Sequence, residues 1–461
     1  MRSNSFVVIC CLLVPLLFGA ANVSGQSKND RKQAEKLVKE ADNAYKQRNY
    51  RLAIDTYAKA LALDPTSANA HFFKGVAHSY LNEPDQALNE FDAALKQGYK
   101  RPVDVYLVRW RIYYAKKNYD LALADVQQGV QLDPQNTDFQ LALADLSAAK
   151  GAYPDALAAY QKAAAKFPNN GDIYYGIARS MAGIGDSAGQ LSAAQKAISL
   201  RTRYYGESLA LEGDAHQKLG KQNEALDSYQ KAIAAKPDIV EPYRNMGEIY
   251  RSQGRFNEAI DISLKGLKQF PNDGGIYTDL AWYYSLADKH EDAVLAAQNG
   301  IRLQPDQAMA YTNLCRAYND LKRPELAVTA CNNALKLSPN DGETLFYLGR
   351  AYYLAGRRAE AARSFKSAVA GLVDFTKKNP DYSDGFYLLG NAYFSDDQPQ
   401  KAIEAYQKTL ELSPRFAKAR YNLAIIQNLQ KNKPAAMEQY NFLVQIDPAL
   451  AAKLKAELDK P

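Results

Sequence analysis

Residues 383–414 read SDGFYLLGNAYFSDDQPQKAIEAYQKTLELSP. Phe386, Leu389, Gly390 and Tyr393 share one helical face, because residues three and four apart stack along a helix. Ala402, Tyr406 and Thr409 do the same on a second helix. Asp396-Asp397-Gln398-Pro399 lies between them as a polar turn, with proline near the new start, where its missing N–H leaves no bond unmade. Gly390 and Ala402 are the small residues. Small groups on facing helices let two backbones approach closely, while the aromatics fill the space on either side. Pro414 stops the second helix or kinks it out of line. The stretch predicts two antiparallel helices in tight contact.

The same unit recurs along the chain. Starts fall at Ala34, Ala68, Val103, Thr137, Gly171, Gly206, Val240, Gly274, Ala308, Gly342, Ser383 and Ala417. The residue equivalent to Gly390 is small in every unit except at Trp110, and the residue equivalent to Ala402 is alanine except at Gln190. An aromatic, a Leu-Gly pair, a Tyr, an Ala, an aromatic and a closing Pro, repeated about every 34 residues, resemble the tetratricopeptide repeat (TPR). The fold class that resemblance implies is all-α: a TPR α-solenoid, a right-handed superhelix of antiparallel helix pairs. The expected layout is a signal peptide over 1–25, a polar linker over 26–33, twelve repeats over 34–448 and a C-terminal capping helix over 449–461. Leu450, Leu454 and Leu458 amid lysines give that last helix one apolar face and one polar face, which the end of a repeat array needs.

Departures from register carry their own expectations. The unit with Gln190 also lacks a closing proline, so its helix pair should pack more loosely. Seven extra residues precede Ser383. They either lengthen the second helix by nearly two turns, keeping its buried face, or form a separate turn after Gly371. No linker divides 34–460, so the array is expected to be one elongated unit.

Arg2, the apolar run from Phe6 to Phe18 and the small residues up to Gly25 are the marks of an export signal, and the run is too short for a membrane span. Cleavage after Gly25 or after Ala21 fits the chemistry. Ile9 and Cys10 are poor neighbours for lipid attachment at Cys10 or Cys11. The mature chain is therefore expected to be exported, periplasmic or secreted, with no membrane span. Its formal charge falls from +6 to about +5 without Arg2, too mild and too dispersed for a nucleic-acid binder.

No catalytic, cofactor or metal site is legible. His71 and His78 take slots filled elsewhere by aromatic rings, and no third ligand accompanies them. Metalloprotease, phosphate-loop and serine-elbow motifs are missing from the sequence. Cys315 and Cys331 occupy the small and aromatic slots of one unit. A disulfide between them requires Cα atoms within about 7 Å, and close helix crossings lie just above that, which favours two buried thiols.

What remains is surface. The resemblance implies binding of an extended peptide along the face lined by first helices. The second residue of most units is acidic (Glu343 and Asp384 among them), which the helix dipole explains without a ligand. More suggestive are Arg244, Asn245, Glu248, Arg251, Asp279, Trp282, Asn313, Arg316, Asn319, Phe346 and Arg350. Asn245, Asp279 and Asn313 share one slot in successive units, where amides could hold a peptide main chain. Arginines around them would pair with carboxylates of a partner. Asn391 and Asn422 alone do not make the family's chaperone-type carboxylate clamp. The function expected is a non-catalytic exported scaffold for a protein or peptide, assembling an envelope complex. The alternative is a polysaccharide or small-ligand receptor that stacks sugar rings on Trp282, Tyr387 and Tyr421.

Overall fold

Ser383–Ser395 and Pro399–Leu412 are helices α21 and α22, and the contact between them shows how the whole chain is assembled. A Cβ placed on Gly390 would lie 2.5 Å from the Tyr406 ring, which is 1% exposed. The flat ring rests directly on the backbone of the first helix, and only glycine leaves room for it. Gly213 meets Tyr229 and Gly349 meets Phe365 in the same way, each at 2.6 Å. The two slots are always sixteen residues apart.

The computed structural model describes residues 27–460; the signal peptide expected over 1–25 lies outside them. Among the described residues there are twenty-five α-helices and no strand. They form twelve pairs, followed by α25, Pro448–Leu458, which buries Ala451, Leu454 and Leu458. Pro448 begins that helix instead of closing the one before. Asp447 accepts its Leu450 N–H as a cap. Each pair turns through one residue with left-handed backbone, as at Gly254 (φ 74) and Asp397 (φ 56).

Several expectations are corrected. Residues 28–33 are not a linker. They open α1, Lys28–Lys46, through a capping box in which Ser27 and Asp30 satisfy each other's backbone N–H groups. Nor is the chain one continuous unit: it divides at the Pro168-Asn169-Asn170 turn into residues up to Asn169 and residues from Asn170, with Asn170 capping α9, Gly171–Ile184. The pair formed by α9 and α10, Ser187–Ser199, is not loosened by Gln190. That side chain is fully buried, and its amide donates to the Leu211 carbonyl and to Asp214, each at 2.8 Å. Both acceptors lie on the next helix, Tyr205–Lys218, so Gln190 ties α10 to the helix that follows it. Trp110 is balanced differently, since the facing slot holds the smaller Val126, and both are buried.

Cys315 and Cys331 are bonded, with Cα atoms 5.2 Å apart. They stand in the two slots where Gly390 meets Tyr406 in α21 and α22. Helices cross there closely enough to seat a ring on a backbone, closer than the free-thiol reading allowed. The seven extra residues lengthen one helix, α20, Arg358–Lys378, so Phe375 and the following Tyr382 extend past the usual end of a pair.

In the unit up to Asn169, the histidines are tied to carboxylates as well as packed. His71 Nδ1 lies 2.5 Å from Glu90, and His78 Nδ1 lies 2.6 Å from Glu83.

Candidate functional site

Four consecutive first helices carry the candidate residues: α13 (Glu241–Ser252), α15 (Gly274–Leu286), α17 (Ala308–Asp320) and α19 (Gly342–Leu354). All four lie in the unit from Asn170 onward. The asparagines do not form a peptide-holding ladder. Asn313 and Asn319 are each 1% exposed, and their Nδ2 groups donate to the carbonyls of Thr278 and Tyr347, both at 2.9 Å. Asn245 Nδ2 donates to the Tyr229 hydroxyl at 2.9 Å. These amides bind neighbouring helices together, because a buried amide without a partner is costly. Asp279, in the same slot, faces sideways to Arg244.

The arginines are likewise committed. Arg244 pairs with Asp279 at 2.7 Å, Arg350 with Asp320 at 2.9 Å, and Arg316 with Glu343. Arg251 grips Glu248 through two hydrogen bonds of 2.8 and 2.6 Å, and reaches Asp384 at 3.2 Å. The expected free cationic groove is thus corrected to a set of internal ion pairs. Burial pushes the Asp279 and Glu343 carboxyls above the ordinary carboxylate range, and the arginine partners offset part of that. Trp282 has two guanidinium groups over its ring, Arg251 at 4.3 Å and Arg316 at 5.6 Å, so its ring is already in use. Arg316 also lies 5.0 Å from the Tyr347 ring.

The Arg251–Asp384 pair spans 133 residues of sequence, from α13 to the first turn of α21. It was not legible beforehand, since only the lengthened α20 brings that turn opposite Arg251. Beside it is a cavity of about 710 Å³. Of the sequence-predicted residues it takes Trp282, Arg316, Phe346 and Arg350 into its lining, and leaves Arg244, Asn245, Glu248, Arg251, Asp279, Asn313 and Asn319 outside. Tyr387 and Tyr421 line it too, and Asn391 and Asn422 join there through a 2.8 Å hydrogen bond that also engages the Tyr406 hydroxyl. Lys418, from α23 (Ala417–Leu429), completes the wall. Sequence reasoning missed it, although a signal existed. It is the second residue of its unit, a column that is acidic at Glu343 and Asp384, and it reverses the charge.

Among the described residues, no cluster of three or more His, Cys, Asp or Glu could hold a metal ion, and no helix is long and apolar enough to cross a membrane. Family models for the tetratricopeptide repeat match residues 38–171, 240–273, 278–342, 343–370 and 383–416, and a further TPR repeat model matches 213–254. The chain belongs to the tetratricopeptide repeat family. Within it, the chain is 30% identical over 107 residues to the Hsc70-interacting protein 1 of Drosophila melanogaster, across 23% of this chain and 28% of that protein. It is 28% identical over 81 residues to a UDP-N-acetylglucosamine–peptide N-acetylglucosaminyltransferase of Giardia intestinalis, across 18% of this chain and 6% of the transferase. The chain covers between 6% and 49% of the length of such curated relatives. Among solved tetratricopeptide structures, the APC/C hetero-tetramer Cut9-Hcn1 aligns over 93% of this chain and 96% of its own, with 16% identity and a TM-score of 0.46.

Proposed function

We propose that this chain is an exported, non-catalytic tetratricopeptide scaffold that holds a protein or extended peptide and assembles an envelope complex in a periplasm. One observation carries the reading. Three ion pairs, Arg244–Asp279, Arg316–Glu343 and Arg350–Asp320, tie α13 to α15 and α17 to α19, and Asn313 Nδ2, donating to the Thr278 carbonyl, ties α15 to α17. The partly exposed side chains Arg244, Glu248, Trp282, Phe346 and Arg350 are thereby presented as a fixed surface, and a preorganised surface loses less entropy on binding. The printed name of the Drosophila relative describes a protein that interacts with another protein, which fits a protein partner here. The Cys315–Cys331 bridge suits an oxidising compartment, as does the export signal over 1–25.

The test is capture of partners from a native envelope fraction, with protease-treated and glycosidase-treated fractions in parallel. Capture abolished by protease alone, and weakened by Arg350→Glu together with Phe346→Ala, supports the reading. Capture that persists after protease, or is indifferent to both substitutions, overturns it. Intact mass of the envelope-derived chain should show a start at Gln26 or Asn22; a start at Met1 sinks the export claim.

A further inference from the structure

The cavity of about 710 Å³ has room for a short peptide segment. Leu286, Leu388 and Ile425 are in its walls, and Met309, Phe375 and Phe394 line it while keeping 44%, 40% and 41% of their surface exposed. It is an apolar recess open to solvent. The charges around it fall into two groups. Asp320 holds Arg350, Glu457 holds Lys460, and Lys418 lies among Asp288, Asp320 and Asp447, so these largely offset one another. Beside Trp282 they do not. Arg251 and Arg316, both over that ring, face four carboxylates, Glu248, Asp384, Glu343 and Asp341. The starts of α19 and α21, which carry the last three, contribute roughly half a positive charge each. About one negative charge is left over. Asp341 Oδ1, Glu343 Oε2 and Asp384 Oδ1 accept no hydrogen bond among the described residues.

The lining also holds polar groups without partners. Ser285 and Arg316 are 6% and 7% exposed, and Ser285 Oγ, Arg316 Nε and Arg316 Nη1 make no hydrogen bond among the described residues. Buried donors in that state are costly. An anion brought to Arg316 would add to the excess of negative charge, whereas a neutral carbonyl would not.

We propose that this cavity binds an extended peptide segment of the partner through one arginine or lysine side chain flanked by apolar residues. The basic side chain approaches the free oxygens of Asp341, Glu343 and Asp384. Main-chain carbonyls of the segment accept from Arg316 and Ser285, and its apolar side chains rest on Met309, Phe375, Leu388 and Phe394. A free amine brings the cation without the carbonyls, and an acid brings the wrong charge. The cavity shares Trp282, Arg316, Phe346 and Arg350 with the surface of α13 to α19, so the inference rests on the protein-binding reading and names its partner's chemistry.

The experiment titrates the mature chain calorimetrically with the peptide Gly-Leu-Arg-Phe-Gly, acetylated and amidated so that its ends are neutral. Counterparts carry citrulline, a neutral isostere, or glutamate at the arginine, and agmatine supplies the guanidinium without a peptide chain. The arginine peptide should bind at least about tenfold tighter than the citrulline peptide, equivalent to about 1.4 kcal/mol. The glutamate peptide and agmatine should both bind more weakly than the arginine peptide. Asp341→Asn together with Asp384→Asn should cut the preference for arginine over citrulline to below about threefold, because asparagine still caps α19 while the charge is gone. Affinity for the citrulline peptide should not change, and circular dichroism checks folding. Asp341→Asn alone, which keeps the Arg251–Asp384 pair, should lower the preference in part. Equal binding of the arginine and citrulline peptides, a preference that survives both substitutions, or agmatine binding as tightly as the peptide overturns the inference. Those outcomes leave the protein-binding reading standing, because that is decided separately by whether capture from the envelope fraction survives protease.

Discussion

Replacing Gly390 by alanine sets two physical effects against each other, and the structure says which prevails. Helix propensity alone favours alanine by about 1 kcal/mol at an interior position. The added Cβ, however, would lie 2.5, 2.7 and 3.0 Å from the Cε1, Cδ1 and Cζ atoms of Tyr406. Carbon atoms rest at roughly 3.5–4.0 Å, so the ring must retreat by about 1 Å. It has nowhere to go. Tyr406 is 1% exposed, and its hydroxyl donates to Asn391 Oδ1 at 2.7 Å on the same helix as Gly390. Overpacking of this kind costs about 2–3 kcal/mol, leaving a net loss of about 1–2 kcal/mol. In a Tyr406→Leu background the clash is gone, and the same Gly390→Ala change should instead stabilise by about 0.5–1 kcal/mol. The readout is hydrogen exchange of the α21 and α22 amides, because repeats open locally and one global melt would blur the effect. Two results would refute the reasoning: stabilisation by Gly390→Ala in the unaltered chain, or an effect of the same sign and size in both backgrounds.

Other outcomes are expected from the same geometry. Cys315→Ser should cost about 3 kcal/mol, the value for closing a loop of this length, and alkylation without reductant should find no free thiol at Cys315 or Cys331. Arg251→Leu should cost about 3 kcal/mol by stranding Glu248 and Asp384, and amide exchange should rise at the start of α21, far away in sequence. In the unit up to Asn169, burial would raise the Glu90 carboxyl, but hydrogen bonds from His71 and Lys74 win and hold it below its ordinary 4.5. Its contribution is therefore present above that ordinary value and is lost as pH falls through the depressed one. Urea titrations of Glu90→Gln against the unaltered chain should show a gap of about 1–2 kcal/mol at pH 7 that closes in acid. A gap that stays constant down to pH 3 would mean the carboxylate is not held in this way.

The sequence by itself determined the class, the period and the register. In several pairs a small residue meets an aromatic sixteen positions on, and that local rule is written out at Gly213 and Tyr229, Gly349 and Phe365, Gly390 and Tyr406. A contact fixed by neighbours in the chain leaves a periodic trace. Partners brought together from distant repeats leave none. The first-helix residues of α13 to α19 could be recognised as facing one way, but not which of them would bind each other. Tertiary structure turned Asn313 and Asn319 inward to neighbouring carbonyls, spent Arg244, Arg251, Arg316 and Arg350 on carboxylates of the same chain, and laid two guanidinium groups over Trp282. It also decided that the seven extra residues would lengthen α20, bringing Asp384 to Arg251, and that Lys418 would join the lining of a cavity. Such pairings depend on how repeats stack in three dimensions, because a side chain's partner is set by the rise and rotation between helix pairs, which no single repeat encodes.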